Sequence, residues 1–440
     1  MRIIVATACN TGDAEYKNMG DVAMLQVAVS RLLDLWPDAI IEVLTDSPAN
    51  LSRYCPCATP LPRTGCMCWV SDQILLGQYH TVLPEVVSKI ASTLTSDLRR
   101  RSPTLLKLLI NVRLKLRDTD GKRANLEVFL DALNSADLFI VAGCGGFADS
   151  CRDWNLSILN TIEAAIEQGV PVAMFGQGMG PLKDHEVRAL AARILPRVTL
   201  MSLRGSRDGF ALLQAMGAPQ NVLTTGDEAV ELAYAARLKE PGNALGVNLR
   251  AAAYAGVGLD IVANVGSVIQ EFARRHQSPL LPLPIAFHEY ARDHETARQL
   301  MPDFINDSGG GLLLDTPIQV INRIARCRIV VSGAYHAAVF ALAQGIPVVC
   351  LSNSLYYLSK FQGLQDLFGE GCAVVSLDDT DFPNKLRSEM DAAWNIAEAV
   401  RGSLLRSASS QVAASRNAYS LVKEMIGSRQ AMPQPVLSEV

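Results

Sequence analysis

The feature that most constrains the fold is an alternation of apolar strand patterns with helical patterns, which occurs twice along the chain. The first series predicts strands at 3–6, 40–44, 138–142, 170–175, 198–202 and 222–224, and helices at 21–35, 156–168, 185–195 and 207–216. The second series predicts strands at 245–249, 279–283, 311–314, 328–331, 347–351 and 373–375. Alternation of this kind is typical of parallel sheets whose strands are joined by crossover helices.

A polar segment containing Pro241 and Gly242 separates the two series and has the composition of a linker. A chain of 440 residues is also too long for one ordinary hydrophobic core. We therefore predict an α/β protein with two Rossmann-like domains of parallel strands facing a cleft, residues 1–240 and 244–390. A helix at 391–428 could cross back over the first domain, and residues 429–440 are expected to form a loose tail.

The composition excludes several classes of protein. Apolar residues make up 49% of the chain and charged residues 19%, which is typical of a well-buried globular protein. The net charge of −4 gives no general attraction for nucleic acid. No apolar run approaches the roughly 18 residues that cross a bilayer. The N-terminus lacks the apolar core and cleavage site of a signal peptide, so a cytoplasmic location is expected.

Ten cysteines are spread along the chain, several of them in apolar strands, as expected of reduced and buried thiols. One local cluster consists of Cys55, Cys57, Cys66 and Cys68. Four thiols could hold zinc, but the usual structural spacing is C-x-x-C and the C-x-C spacing here is a poorer match. A cysteine-containing loop without metal is the favoured interpretation.

Residues 99–117 depart from the regular alternation, because basic and apolar residues interleave there. The basic residues are Arg99, Arg100, Arg101, Lys107, Arg113, Lys115 and Arg117. A basic amphipathic element can lie on an anionic membrane surface, so peripheral membrane contact is one interpretation. The favoured interpretation is the more frequent structure, a solvated helix with one face on the core.

Residues 329–342 predict a buried strand, a tight turn of small residues that includes Ser332 and Gly333, and a helix with His336 in its first turn. Ligands of parallel α/β sheets bind outside the carboxyl ends of the strands, where a helix N-terminus attracts anions. A histidine there can face a phosphate or carboxylate and transfer a proton near neutral pH. A capping or packing role is the alternative for a lone histidine, but the surrounding pattern favours a functional one.

Three further strand ends are predicted to be glycine-containing loops followed by helices. They are the segments Asn18-x-Gly20-Asp21, Gly143 to Asp149 with Gly145 and Gly146, and Gly176 to Pro181 with Gln177. Glycines let backbone N–H groups approach a ligand closely, although they also serve ordinary turns. The P-loop motif is absent from the sequence, and the first strand-helix unit has no G-x-G-x-x-G fingerprint. Together the loops would line one rim of the first sheet, where a substrate is expected.

Taken in order, these motifs resemble those of the polysaccharide pyruvyl transferases, whose fold is similar to that of two-domain GT-B glycosyltransferases. Besides the segments above, the matching motifs are Leu203-Arg204, Thr225-Gly226-Asp227, Asp293, Ser332-Gly333-x-Tyr335-His336-Ala337, and Lys360 with Gly363-Leu364. The resemblance implies transfer of a pyruvyl group from phosphoenolpyruvate to a sugar of a polysaccharide or glycan precursor, usually as a ketal. It also implies an acceptor side in the first domain, a donor side in the second, and neither cofactor nor metal.

Phosphoenolpyruvate carries a phosphate and a carboxylate, so its site requires cations or N–H donors. The resemblance makes Arg204 and Lys360 the candidate donor-binding cations, with Ser332 and Gly333 beside them, and His336 the candidate general acid for the enol carbon. The alternatives are a surface arginine beside a helix and a solvated loop lysine. The candidate acceptor or rim residues are Asn18, Gly20, Asp21, Gly145, Gly146 and Gln177.

The chain departs from the family's pattern at Ala334, where an arginine that would hold the donor is often found. Either another cation compensates or the donor differs. A GT-B glycosyltransferase that uses a nucleotide sugar and a non-catalytic ligand-binding homologue are therefore the alternative functions. The sequence carries no recognised code for the acceptor or for the oligomeric state.

Overall fold

The first part of the chain forms one eight-stranded parallel sheet. The computed structural model describes residues 1–10, 16–71, 74–77, 79, 83–117, 119–205, 209–217, 220–249, 259–287, 293–301 and 314–431. The strands of this sheet are β1 (Arg2–Ala6), β2 (Ile40–Thr45), β3 (Thr59–Pro62), β4 (Leu138–Val141), β5 (Cys144–Phe147), β6 (Val172–Met179), β7 (Leu200–Leu203) and β8 (Val222–Thr224). Their order is β3-β2-β1-β4-β6-β7-β8, with β5 beside β6, so the direction of winding switches between β1 and β4.

Helices cover both faces of this sheet. They are α1 (Met19–Leu35), α2 (Pro48–Tyr54), α3 (Arg63–Val70), α4 (Glu85–Arg101), α5 (Pro103–Leu116), α6 (Asp120–Asn134), α7 (Arg152–Glu167), α8 (His185–Ile194), α9 (Gly209–Ala215) and α10 (Val230–Ala235). Alternate residues of β1 show the two faces: Ile3 and Val5 belong to one apolar core, Ile4 and Ala6 to the other. Strands buried on both faces explain the continuous apolar runs in the sequence.

The second part forms a five-stranded parallel sheet. Its strands are β9 (Ala244–Asn248), β10 (Leu280–Pro282), β11 (Cys327–Ser332), β12 (Val348–Ser352) and β13 (Cys372–Ser376). The helices are α11 (Leu259–His276), α12 (Asp293–Leu300), α13 (Pro317–Ile324), α14 (Tyr335–Ala343), α15 (Leu355–Phe368) and α16 (Phe382–Ala431). The order β10-β9-β11-β12-β13 places the switch in winding between β9 and β11. We call β1 to α10 the N-terminal half and β9 to α16 the C-terminal half.

One apolar core continues from the N-terminal sheet into the C-terminal one, so the halves share a buried interface. Helix α14 lies within it, and every residue of α14 is buried. A helix without a polar face is stable only when it is surrounded by protein. The interface therefore holds the first turn of α14, which carries His336, close to the N-terminal half.

Helix α16 connects the two halves a second time. Its first turns carry Leu386 and Met390, which pack into a separate apolar core within the C-terminal half. Further along, the ring of Tyr419 stacks on Phe175 of the N-terminal half, with 3.7 Å between the centroids. At about 1.5 Å per residue a helix of this length can reach across both halves.

The predicted fold class is confirmed: the protein is α/β with parallel strands in two sheets. Two predicted loops are wrong, because 144–147 and 176–179 are strand residues of β5 and β6. Strand β3 was not predicted, and the predicted strand at 311–314 lies outside the described residues apart from Leu314. The long helix begins at Phe382 rather than at 391, and 432–440 also lie outside the described residues.

The basic segment 99–117 is divided between α4 and α5, because Pro103 begins a new helix after Ser102. Proline is well suited to the first turn of a helix, because an N–H group there would have no hydrogen-bond acceptor within the helix. Helix α5 does turn one face to the core, as predicted, through Leu106, Ile110 and Leu114. None of the helices in the described part of the chain is long and apolar enough to span a membrane.

Candidate active site

The candidate site lies where the switch points of the two sheets face each other. At the start of α1, the side chain of Asn18 accepts a hydrogen bond from the Gly20 N–H at 3.0 Å. The adjacent Met19 N–H donates to the Ile285 carbonyl of the C-terminal half at 2.9 Å. The side chain of Asp293 accepts from the Ile285 N–H at 2.9 Å, so it fixes the strand-end loop that makes this contact. The backbone thus ties the two halves together beside the site.

The turn after β11 determines where His336 stands. Ser332 Oγ accepts from the Ala334 N–H at 3.0 Å, and the Gly333 N–H donates to the Asn248 carbonyl at 2.8 Å. Ser332 and Gly333 are therefore engaged in the turn itself, and Ser332 is fully buried. The turn leads directly into α14, whose first turn presents the imidazole of His336 to the N-terminal half.

His336 is 7% exposed and packs against the start of α1. A Cβ added to Gly20 would lie 1.9 Å from Cγ of His336, so only glycine permits this approach. Nε2 of His336 lies 3.7 Å from the Asp227 carboxylate and has no hydrogen-bond partner among the described residues. A buried nitrogen in this position is available to a ligand.

Asp227 is the buried anion beside His336. Its carboxylate accepts from the Ala229 N–H at 2.9 Å and from Arg204 at 3.3 Å. Burial alone would raise the pKa of Asp227, but His336, Arg204 and the Ala229 N–H outweigh burial and lower it. Asp227 is therefore ionised at neutral pH, and its negative charge lies beside the His336 ring.

Two cations converge on Gly145, one from each half. A Cβ on Gly145 would lie 2.2 Å from a guanidinium nitrogen of Arg204 and 2.9 Å from Nζ of Lys360. Nη2 of Arg204 is buried and has no hydrogen-bond partner among the described residues. Burial and the charge of Arg204 lower the pKa of Lys360 well below its usual range. Two basic side chains side by side, one of them with an unpartnered nitrogen, form a site that attracts an anion.

Aromatic rings hold these cations in place. The guanidinium of Arg204 lies over the ring of Tyr335 at 4.2 Å. Lys360 donates a hydrogen bond to the Tyr356 hydroxyl, which in turn donates to the Gly145 carbonyl at 2.9 Å. The contacts of Tyr335 with Arg204 and of Tyr356 with Gly145 cross between the halves, because both tyrosines belong to the C-terminal half. The cavity that Arg204, Lys360 and Tyr335 line has a volume of about 470 Å³, including the part open to solvent.

Two further carboxyl groups flank the site. Burial raises the pKa of Asp21, although the charges of His336, Arg204 and Lys360 oppose the rise. Glu228 lies behind Asp227, where burial raises its pKa to about 7 despite the nearby charge of Arg31. The Tyr419 hydroxyl of α16 donates to Glu228 at 2.5 Å. Helix α16 therefore supports the rear of the site.

The structure brings His336, Arg204, Lys360, Gly145, Gly20 and Asp21 together. Other predicted site residues have structural partners nearby. Gln177 is fully buried and donates from Nε2 to the carbonyl groups of Ala142 at 3.0 Å and Phe175 at 2.7 Å. The Gly146 N–H donates to Cys144 Sγ at 3.0 Å. Neither Gln177 nor Gly146 is among the residues that line the cavity.

The sequence did not assign a role to Asp227, Tyr335 or Tyr356. A signal was present for Asp227, since it ends the motif Thr225-Gly226-Asp227 after β8. Tyr335 and Tyr356 adjoin apolar helix starts, where an aromatic residue is ordinarily part of the core. Only the packing of one half on the other shows that their rings hold cations.

The cysteine cluster is separate from this site. Cys66 and Cys68 lie in α3, and burial raises the pKa of Cys66 to about 11. Cys55 ends α2, where burial raises its pKa to about 12. Within the described ranges, no three His, Cys, Asp or Glu side chains form a group that could hold a metal ion.

Comparison with solved structures identifies the class of fold as GT-B. A protein from Listeria monocytogenes assigned as a UDP-N-acetylglucosamine 2-epimerase has a TM-score of 0.56 at 11% identity, with 100% of this chain and 99% of that one covered. The Neisseria meningitidis UDP-GlcNAc 2-epimerase, solved with UDP-GlcNAc, has a TM-score of 0.52 at 11% identity, covering 97% and 100%. Likeness at this identity establishes the fold alone.

Sequence comparison identifies the family. The profile of the polysaccharide pyruvyl transferases matches residues 18–354, most of the chain, so the protein belongs to that family. It is therefore a transferase, and family membership implies a sugar acceptor. No individual curated protein matches the chain significantly.

Proposed function

We propose that this site transfers a pyruvyl group from phosphoenolpyruvate to hydroxyl groups of a sugar, forming a ketal. The observation that carries the proposal is the pair of converging cations, Arg204 and Lys360, next to His336 and Asp227. Phosphoenolpyruvate needs positive charge for its phosphate and carboxylate, and a proton donor for its enol. The two kinds of group are neighbours: Arg204 and Lys360 line the cavity, and the Asp227 carboxylate that Arg204 contacts lies 3.7 Å from His336.

In this proposal Arg204 and Lys360 bind the anionic groups of the donor. The orphaned Nη2 of Arg204 gains a partner when an oxyanion enters. The anion also offsets the repulsion between the two cations and stabilises the protonated form of Lys360.

Ala334 is fully buried at the start of α14. We infer that Arg204 and Lys360 compensate for the arginine that the family often carries at that position.

His336 acts as the general acid. Its proton goes to the terminal CH2 carbon of the donor, while an acceptor hydroxyl oxygen bonds to the adjacent carbon. The proton of that hydroxyl passes to Asp21, whose raised pKa suits a base. Phosphate then leaves with the C–O bond electrons, and a second hydroxyl adds to complete the ketal. The second hydroxyl proton leaves with the phosphate, and the proton on Asp21 returns to His336 through solvent, so atoms and charge balance and the enzyme regains its starting state.

Asp227 positions His336, because the carboxylate lies 3.7 Å from Nε2. We place the acceptor in the groove that adjoins the cation cavity at Gly180 and Ser359. This groove has a volume of about 980 Å³ and is lined partly by Arg188 and Leu358.

We also place the protein in the cytoplasm, since all ten cysteines are free, as in a reducing compartment.

The test compares donors on the purified protein. Calorimetry and thermal shift should show saturable binding of phosphoenolpyruvate at micromolar to millimolar concentration, and phosphate release should require a glycan acceptor. UDP-sugars serve as the competing donor class. Turnover with a UDP-sugar and none with phosphoenolpyruvate would identify a glycosyltransferase. Absence of phosphoenolpyruvate binding at millimolar concentration would end the pyruvyl-transfer proposal for this chain.

A further inference from the structure

Helix α4 has its polar and apolar faces reversed. The buried side chains of its inner face are polar: Ser88, Thr95 and Arg99. Arg99 donates to the carbonyl groups of Trp69 and Val70, both at 3.0 Å. The outer face carries Val86, Ile90 and Leu94, which are 68%, 55% and 55% exposed. A helix on a protein that is surrounded only by water has the opposite arrangement.

Helix α5 extends this apolar surface. Its inner face is apolar, as described above, and its outer face is apolar as well. The outer residues are Leu105, Leu108, Leu109, Val112 and Leu116, with exposed fractions between 38% and 82%. Since α4 and α5 pack against each other, these side chains belong to one surface, which we call the hairpin face. A continuous group of exposed apolar side chains such as this one marks an interaction site.

The charge around the hairpin face selects the partner. Helices α4 and α5 carry seven basic and two acidic residues, and without Arg99, which is buried on the inner face, six basic and two acidic residues leave a formal charge of +4 in a chain whose net charge is −4. Arg101 and Lys115 are exposed beside the apolar residues. A second copy of this surface would bring like charges together, which is unfavourable. An anionic surface that also accepts apolar side chains fits both properties.

We propose that the hairpin face docks the protein on an anionic membrane surface. Helices α4 and α5 lie in the plane of the interface, with their outer apolar side chains among the acyl chains and their basic side chains at the lipid headgroups. Docking of this kind requires no membrane-spanning helix.

Vesicle flotation tests the proposal. The full-length protein should float with vesicles of phosphatidylcholine and phosphatidylglycerol, bind much less to phosphatidylcholine alone, and release in high salt. The triple variant Val86→Ser, Ile90→Ser and Leu94→Ser should weaken binding roughly 100-fold, because it removes the apolar contribution. The pair Arg101→Glu and Lys115→Glu should weaken it roughly 20-fold or more.

Ile318→Ser is the matched control, since Ile318 is 47% exposed on α13, outside the hairpin face. It should bind as the unmodified protein does. The serine changes lie at exposed positions, so circular dichroism should show unchanged folding. Failure of the unmodified protein to float at low salt would overturn the proposal, as would unchanged binding of the triple variant. Sedimentation velocity provides the remaining test: self-association that the serine changes abolish, without vesicle binding, would assign the face to a second copy.

Discussion

The two halves of the molecule supply the site in different ways. The C-terminal half contributes its side chains from the first turn of α14 and the first two turns of the next helix, α15. The N-terminal half contributes from four separate segments, which follow β1, β4, β7 and β8. The histidine therefore comes from one half, while the carboxylate beside it and the glycine against it come from the other. Catalysis then requires both halves in register, and changes in each half should have distinguishable effects.

The largest effect is expected for the C-terminal half at His336. His336→Gln keeps the size and some hydrogen bonding of the side chain but removes the transferable proton. We expect kcat to fall by roughly 100-fold or more with a small change in affinity for phosphoenolpyruvate. Steady-state kinetics and calorimetry measure the two quantities. His276→Gln, in α11, is the control and should be near normal; turnover close to normal in His336→Gln would show that the histidine only binds or packs.

The next effect is expected for the N-terminal half at Gly20. An added Cβ would lie 1.9 Å from the His336 ring, so Gly20→Ala must displace the ring or α1. A displacement of about 1 Å is enough to lower kcat roughly 10- to 100-fold. Gly121→Ala is the matched control, because Gly121 lies in the first turn of α6 and a Cβ there has no contact within 4 Å. If the two alanine variants had the same kinetics, the start of α1 would have no part in positioning His336.

A smaller effect is expected where the N-terminal half holds the donor. Arg204→Lys keeps the charge but loses the planar fork that stacks on Tyr335 and reaches Asp227. We expect affinity for phosphoenolpyruvate to fall about tenfold, with a smaller change in kcat. Arg197→Lys, in a solvent-exposed ion pair with Glu167, is the control. Unchanged donor affinity in Arg204→Lys would mean that the orphaned guanidinium nitrogen does not face the donor.

The comparison of the halves also explains what the sequence could predict. Residues 329–342 form a strand, a turn and a helix in direct succession, so local periodicity was enough to locate His336. The alternation of strands and helices predicted two parallel sheets for the same reason. These features depend on neighbours in the sequence.

Other features depend on contacts between distant segments, which periodicity does not report. Gln177 lies in a glycine-containing segment that resembles a loop, but its side chain satisfies carbonyl groups inside the sheet. Strand β5 is short and contains glycine, so its pairing with β6 has no local signal. The reversed faces of α4 were not predicted, since the basic amphipathic segment 99–117 includes only the last residues of α4 and only the fold shows which side of the helix is buried.

The smallest effect concerns the pH dependence of donor binding, which tests the cation from the C-terminal half. In the free site, burial and the charge of Arg204 lower the pKa of Lys360. A bound anion raises that pKa, so binding takes up a proton at pH values between the two pKa values, and affinity falls as pH rises through this window. Measurements should be made above about pH 7, where the donor phosphate, with a second pKa near 6, is already ionised.

Calorimetry in buffers of different ionisation enthalpy should detect proton uptake with the unmodified protein and none with Lys360→Arg, whose charge is permanent. The same proton uptake in both proteins would assign it to another group, and a pH-independent affinity in both would show that Lys360 is already charged in the free site.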